Sequence, residues 1–199
     1  MPTASWPDGE AVFQGWATRG EAHFAALGAV PASVLIRDRE SADDPLAVAK
    51  IADADLVYFS GGKPGHLLAI LRGSAAEAAL REAHARGAVI AGCSAGAMVL
   101  GGYQPQIGGR GFLRPPFGWQ EGLGLAPGLV IIPHYDAIPE TLVAPLTLTA
   151  PKGALVVGID ENTALVGRDG TWKVEGAGRV TVWRGRRRER HASGATVSI

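Results

Sequence analysis

Cysteine is nearly missing from this chain. Cys93 is the one copy in 199 residues, which excludes an intramolecular disulfide framework and any multi-cysteine metal site. An excess of either charge is missing too: Lys+Arg and Asp+Glu number 19 each. A balanced chain has no global field to favour nucleic acid, and it has no acidic tail. No apolar run approaches the roughly 20 residues that cross a bilayer. The opening residues Met1-Pro2-Thr3-Ala4-Ser5-Trp6-Pro7 hold neither the basic region nor the apolar segment of a secretory signal. No Walker or G-x-G-x-x-G pattern cradles a phosphate. Repeats, linkers and low-complexity tracts are absent as well. What remains is an ordinary globular composition, 47% hydrophobic and 19% charged, over a length suited to a single domain spanning 1–199. A cytoplasmic setting is the default expectation.

Along the chain, strand and helix patterns alternate. Residues 10–27 read as a helix stopped by Gly28. Ser33-Val34-Leu35-Ile36 reads as a strand, and Ser41 to Ala52 as a helix with Pro45 early in it, where proline is tolerated. Asp55-Leu56-Val57-Tyr58-Phe59 is a buried strand ending in Ser60-Gly61-Gly62; residues 64–71 and 74–86 are helical. This alternation predicts an α/β fold, a three-layer sandwich with a mostly parallel sheet and helices on both faces. Sites in such sheets lie outside the C-terminal strand ends. From 101 to 128 the chain reads as a long irregular segment rich in glycine and proline, of a kind that is usually functional. Leu129-Val130-Ile131-Ile132 is a buried strand ending at Pro133-His134-Tyr135-Asp136, and Ala154 to Ile159 a strand leading into Asp160-Glu161-Asn162. Ala164 to Val174, turning at Arg168-Asp169-Gly170, predicts a C-terminal β-hairpin, with Val180 to Trp183 as a final strand.

One short stretch carries chemistry. Gly92-Cys93-Ser94-Ala95-Gly96 matches G-x-S-x-G, between the strand-like Ala88-Val89-Ile90-Ala91 and the helix-compatible Ala95 to Leu100. A strand-turn-helix elbow holds a serine hydroxyl out at the sheet edge, with glycines relieving the crowding. The helix N-terminus behind it favours a developing oxyanion. The plain alternative is a tight turn that needs small residues. A nucleophilic serine needs a base. Of His23, His66, His84, His134 and His191, the first and third lie in helices as surface residues and the last lies in a basic tail. His66 opens a helix beside Gly61-Gly62 and is a weaker candidate. His134 stands directly after a buried strand, where an imidazole can take the serine proton and return it to a leaving amine. The oxyanion would receive one N–H from Ala95 and one from Gly61 or Gly62.

Four blocks then occur in order: Leu56 to Gly62; Gly87 to Ala97; Gly122-Leu123-Gly124-Leu125 leading to Pro133-His134; and Gly158-Ile159-Asp160-Glu161-Asn162-Thr163-Ala164-Leu165. Together they resemble the peptidase E and cyanophycinase family, serine peptidases on a class I glutamine-amidotransferase-like α/β fold, over about residues 3 to 184. The resemblance implies Ser94 as nucleophile, His134 as base, and an oxyanion hole from Gly61, Gly62 and Ala95. It also brings departures. Family members usually carry an opening strand and helix before the segment matching Thr3-Ala4-Ser5, so one sheet element is expected to be missing here. The third triad acid often lies between nucleophile and base, where Glu121 is the one acid and Gly109-Arg110-Gly111 has none. Glu161, in the family-like block, is the first choice for that role and Asp136 the second; a dyad without an acid stays open. Aspartyl dipeptidases of the family use an arginine past the base to hold the substrate carboxylate. Residues 137–150 contain no arginine, so aspartyl specificity is not carried over.

Other features read more plainly. Cys93 is a small buried residue beside the elbow apex. Arg184 to Arg190 is a solvated basic tail without aromatic interleaving. Asp43-Asp44 and Asp53/Asp55 lack a metal-ligand spacing. Phe117 and Trp119, with Arg110 and Arg114, either line a substrate pocket or anchor their loop. The expected activity is hydrolysis of short peptides through an acyl-enzyme, with no metal and no organic cofactor. The expected partners are a short peptide substrate and a second copy in a homodimer, with no nucleic acid and no membrane. The rival readings are an amidase or esterase on a small non-peptide substrate, and a non-catalytic ligand-binding protein on the same fold.

Overall fold

The computed structural model describes residues 1–106, 118–168 and 170–199. The chain forms two compact units, Met1–Ala97 and Met98–Ile199. The first opens with a 3-10 turn, Thr3–Asp8, and continues through α1 (Glu10–Ala26), α2 (Arg39–Ala42), α3 (Pro45–Ala52), β1 (Leu56–Phe59), α4 (Pro64–Leu71), α5 (Ala75–Arg86) and β2 (Val89–Gly92). Local chemistry sets the helix ends. The Asp44 carboxylate caps α3 by accepting from the Leu46 N–H at 2.8 Å, with Pro45 in the first turn. Ser74 caps α5, accepting from the Glu77 N–H at 3.1 Å, and Gly87 closes it in the left-handed region at φ 108. Between those caps Ala76, Ala79, Leu80 and Ala83 recur at helical spacing and are buried. β1 and β2 pair in parallel, with Leu56 opposite Val89 and Phe59 opposite Gly92. Phe13, Ile51, Phe59, Leu67 and Leu80 fill the core of this unit. The strand expected at Ser33-Val34-Leu35-Ile36 pairs with nothing among the described residues. Val34 and Ile36 are buried all the same, so alternation there reports burial rather than a ladder.

α6 (Ala95–Leu100) runs straight into the strands of the second unit. These are β3 (Gly101–Pro105), β4 (Trp119–Glu121), β5 (Ala126–Ile132), β6 (Leu155–Ile159), β7 (Thr163–Arg168), β8 (Thr171–Gly176), β9 (Arg179–Arg184), β10 (Arg187–Ala192) and β11 (Thr196–Ser198). A 3-10 turn, Tyr135–Ala137, and α7 (Glu140–Thr149) separate β5 from β6. Six strands form one sheet in the order β10-β9-β6-β5-β3-β4, and three form another in the order β11-β8-β7. The expected α/β class holds. The sheets are mixed, however, and not mostly parallel: β3–β5 and β5–β6 are parallel, while β3–β4, β6–β9 and β9–β10 are antiparallel. The cause is connection length. The parallel β5–β6 pair has α7 as its crossover, whereas β9 and β10 are joined by a tight turn that reverses the chain.

Residues 101–128 are less irregular than expected, since β3 and β4 pair there through Tyr103–Glu121 and Gln104–Gln120. The hairpin expected around Ala164–Val174 is β7–β8. The expected final strand, β9, is followed by two more, and the basic tail is itself strand β10, paired with β9 from Arg187–Arg184 to Ala192–Arg179. The core of the unit gathers Val130, Ile132, Tyr135, Val143, Leu146, Val156 and Trp183 between α7 and one face of the six-stranded sheet.

Candidate active site

In the first unit the ends of β1 and β2 build one group of candidate residues. The ladder runs one residue past β2, the Cys93 N–H donating to the Phe59 carbonyl at 3.0 Å. The chain then turns sharply, the Gly96 N–H donating back to the Cys93 carbonyl at 2.8 Å. Ser94, at the apex, has φ 50, a left-handed conformation that a side chain seldom adopts. The flanking glycines are needed for close approach. A Cβ on Gly92 would lie 2.5 Å from the Gly96 carbonyl carbon, and one on Gly96 would collide with the Phe59 carbonyl. Ala95, directly after the apex, is buried. Gly61 meets the same serine: a Cβ there would sit 3.2 Å from Ser94 Cβ and 3.6 Å from Ser94 Oγ. Ser94, Ala95 and Gly61 are thus brought together.

Gly62 has φ 141 and packs on the backbone of Ala4 and Ser5, where a Cβ would collide with the Ala4 carbonyl. The buried Thr3-Ala4-Ser5 segment therefore fixes the Gly-Gly turn, and the Lys63 N–H donates to the Ala4 carbonyl at 2.6 Å. The sequence shows that segment only as small residues without a period. Cys93 is free and half-buried, not fully buried as expected. Burial, and then the neighbouring Cys93 thiol, push the Tyr58 hydroxyl well above its ordinary range.

The second unit holds the other candidates at the ends of β5 and β6. His134 follows β5 with φ 55, again left-handed and again not glycine. Its Nδ1 meets Glu161 Oε1 in a short contact. The Glu161 backbone N–H in turn donates to Asp136 Oδ1 at 2.9 Å. The two acids therefore stand in different relations to the imidazole: Glu161 touches it, and Asp136 holds the segment that carries Glu161. The Glu161 turn is braced further by Thr163 Oγ1, which donates to the Glu161 carbonyl at 3.0 Å, and by Asp160, whose carboxylate accepts from the Arg179 N–H at 2.9 Å. A carboxylate facing Nδ1 favours the proton there, so in the neutral imidazole Nε2 is the acceptor, the tautomer a general base requires. His134 and Glu161 are about half exposed, at 47% and 53%, so their pairing stabilises the fold little and orients the ring.

Tyr135 anchors His134 from the next position. Its buried ring lies on Gly158, and its hydroxyl accepts from Trp183 Nε1 at 2.9 Å and donates to Glu140 Oε1 at 3.3 Å. Glu140 is clasped by Arg188 and by Arg190, the latter at 2.8 Å, so two arginines of the supposed tail brace α7. The Arg190 hydrogen bond and both arginine charges hold the Glu140 carboxyl below its ordinary value.

The remaining candidates stand elsewhere. Glu121 is on β4, separated from β5 by β3. His23 is exposed on α1, while His66 and His84 are half-buried with one ring nitrogen each buried and unbonded. His191 lies on β10 and not in a tail. Arg110, Arg114 and Phe117 lie outside the described residues, and Trp119 is on β4. Among the described residues no group of three or more His, Cys, Asp or Glu is arranged to hold a metal ion, and no helix is long and apolar enough to cross a membrane.

Comparison with known proteins gives this arrangement its setting. The profile of peptidase family S51 matches residues 1–174, and the chain belongs to that family of serine-type peptidases. The cyanophycinase of a Nostoc species is 30% identical over 164 residues, covering 80% of this chain and 55% of the relative. The chain thus spans about half the length of the curated relatives it matches. Among solved structures, a peptidase from an acI-B1 Actinobacterium superposes with a TM-score of 0.86 at 32% identity, covering 100% of this chain and 81% of that one. A candidate peptidase E from Listeria monocytogenes shares the fold, with a TM-score of 0.58 at 18% identity over 96% of this chain and 84% of that one.

Proposed function

We propose that this chain is a serine peptidase that cleaves short peptides through an acyl-enzyme. The observation that carries the reading is the His134–Glu161 contact, which leaves one imidazole nitrogen as an acceptor on a strand-end residue. In the proposed reaction Ser94 Oγ attacks the scissile carbonyl while His134 Nε2 takes its proton. The tetrahedral oxyanion is held by the N–H groups of Ala95 and of Gly61 or Gly62. His134 then protonates the leaving amine, and a water activated by the same imidazole releases the acid. Glu161 fixes the ring and stabilises the imidazolium. Membership of family S51 and the left-handed apex at Ser94 support the same assignment.

A fluorophosphonate probe should label the wild type on Ser94 and leave Ser94→Ala unlabelled. Turnover of a dipeptide panel should fall in that variant by on the order of 10⁶, with circular dichroism and melting temperature retained. Residual cleavage by purified Ser94→Ala would remove the mechanism. Faster turnover of aryl esters than of any peptide would move the assignment to an esterase.

A further inference from the structure

The elbow serine has a neighbour that the mechanism does not use. The point where a Cβ on Gly61 would stand is 3.6 Å from Ser94 Oγ and 3.9 Å from Trp16 Cζ2. The indole of α1 therefore borders the space beside the hydroxyl, and Trp16 is only half-buried there. One turn further along α1, the Arg19 guanidinium lies over that indole, 4.7 Å from the ring centroid. Arg19 is exposed, and its Nε donates to the Gly15 carbonyl at 3.2 Å. Among the described residues its terminal nitrogens have no acidic partner and no acceptor. Arg39, Arg81, Arg188 and Arg190, by contrast, each hold a carboxylate. The helix is also thinned around this pair. Gly15 and Gly20 sit in its interior, and a Cβ at Gly20 would meet nothing within 4 Å, so the approach to the guanidinium is open.

We propose that Trp16 and Arg19 form a substrate subsite beside Ser94 that takes a carboxylate of a short peptide. Stacking on the indole orients the planar guanidinium and leaves its paired N–H groups directed outward, the fork that matches a carboxylate in two parallel hydrogen bonds. A short peptide always brings such a group at its C-terminus, and an acidic side chain brings another. With a formal net charge of +0, the chain's overall field would not produce the same preference. The choice of peptides as ligands rests on the serine-peptidase reading; the pairing of indole and guanidinium does not.

Calorimetric titration of Ser94→Ala separates the two, because it reads binding without turnover. Three probes suffice: alanyl-alanine, alanyl-alaninamide and aspartyl-alaninamide. At least one carboxylate probe should bind about tenfold tighter than alanyl-alaninamide, as a charge-assisted hydrogen bond at a partly exposed site gives. Tighter binding of alanyl-alanine identifies the terminal carboxylate as the ligand, and tighter binding of aspartyl-alaninamide a side-chain one. Adding Arg19→Gln should bring acid and amide within twofold, Arg19→Lys should keep part of the preference, and Trp16→Leu should weaken it by freeing the guanidinium. Equal binding of acid and amide by Ser94→Ala, or a preference that survives Arg19→Gln, overturns the subsite. Fluorophosphonate labelling of the wild type tests the nucleophile separately, so carboxylate preference in an unlabelled protein would sink the peptidase reading and leave the subsite standing.

Discussion

Glu161→Gln keeps the size of the side chain and removes its charge, so it isolates the electrostatic part of the His134 contact. Peptide turnover in that variant should fall by on the order of 10³–10⁴, because the imidazole loses both its fixed tautomer and its counter-charge. Asp136 should behave differently. Its Oδ1 accepts from the Glu161 N–H, and an asparagine oxygen can do the same. Asp136→Asn should stay within a few-fold of wild type, while Asp136→Ala loses about tenfold as the Glu161 turn loosens. Large loss in Asp136→Asn with little in Glu161→Gln would exchange the two roles. The sequence placed both acids near His134 through strand ends. It ranked Glu161 first through the family-like block, but it could not show that Asp136 holds the Glu161 turn, because that hydrogen bond joins residues 25 apart.

At the scale of elements, the elbow depends on β1 and α6 meeting without a side chain between them. Gly96→Ala puts a methyl into the Phe59 carbonyl and should cost about 1–3 kcal/mol of stability by overpacking, with loss of Ser94 labelling. A urea midpoint and the probe together check it. The clamp on α7 is different in kind. Glu140→Gln should cost about 0.5–1 kcal/mol, because its two arginine partners are partly exposed. The sign in pH follows from the lowered Glu140 carboxyl. Its contribution is complete above the ordinary carboxylate range and is lost as pH falls through the depressed value, so wild type and variant should converge in acid. Urea melts at neutral and acid pH would show this, and a constant gap would remove the linkage. These elements also show what was legible. The caps of α3 and α5 and the apolar runs of β1, β5 and β6 carry local signals. β10 does not, because Arg187-Arg188-Glu189-Arg190 hides a strand whose ladder comes from β9 and whose charges are met by Glu140. β3 and β4 were hidden in the same way, since their pairing joins residues on either side of a long glycine-rich stretch. Trp16 beside the elbow had no local signal at all: α1 is joined to Gly61 only through the fold.

For the whole molecule, the balance of charge and the short apolar runs bound the composition but carry no chemistry. The family resemblance came from four short blocks, each of which holds a strand terminus followed by candidate residues. Global stability, in turn, carries a trace of those residues. Ser94 at φ 50 and His134 at φ 55 occupy backbone positions where glycine would be at ease. A left-handed side-chain residue costs about 1–2 kcal/mol, and glycine repays part of its own entropy cost by relieving it. Ser94→Gly should therefore melt about 2–4 °C above wild type in scanning calorimetry while losing all probe labelling. A lower melting temperature would show that the apex is held without penalty. On the proposed mechanism the consequence reaches selection itself: a screen that rewards heat resistance alone would drift toward a sturdier, inert protein, and only selection on turnover keeps a serine and a histidine in seats made for glycine.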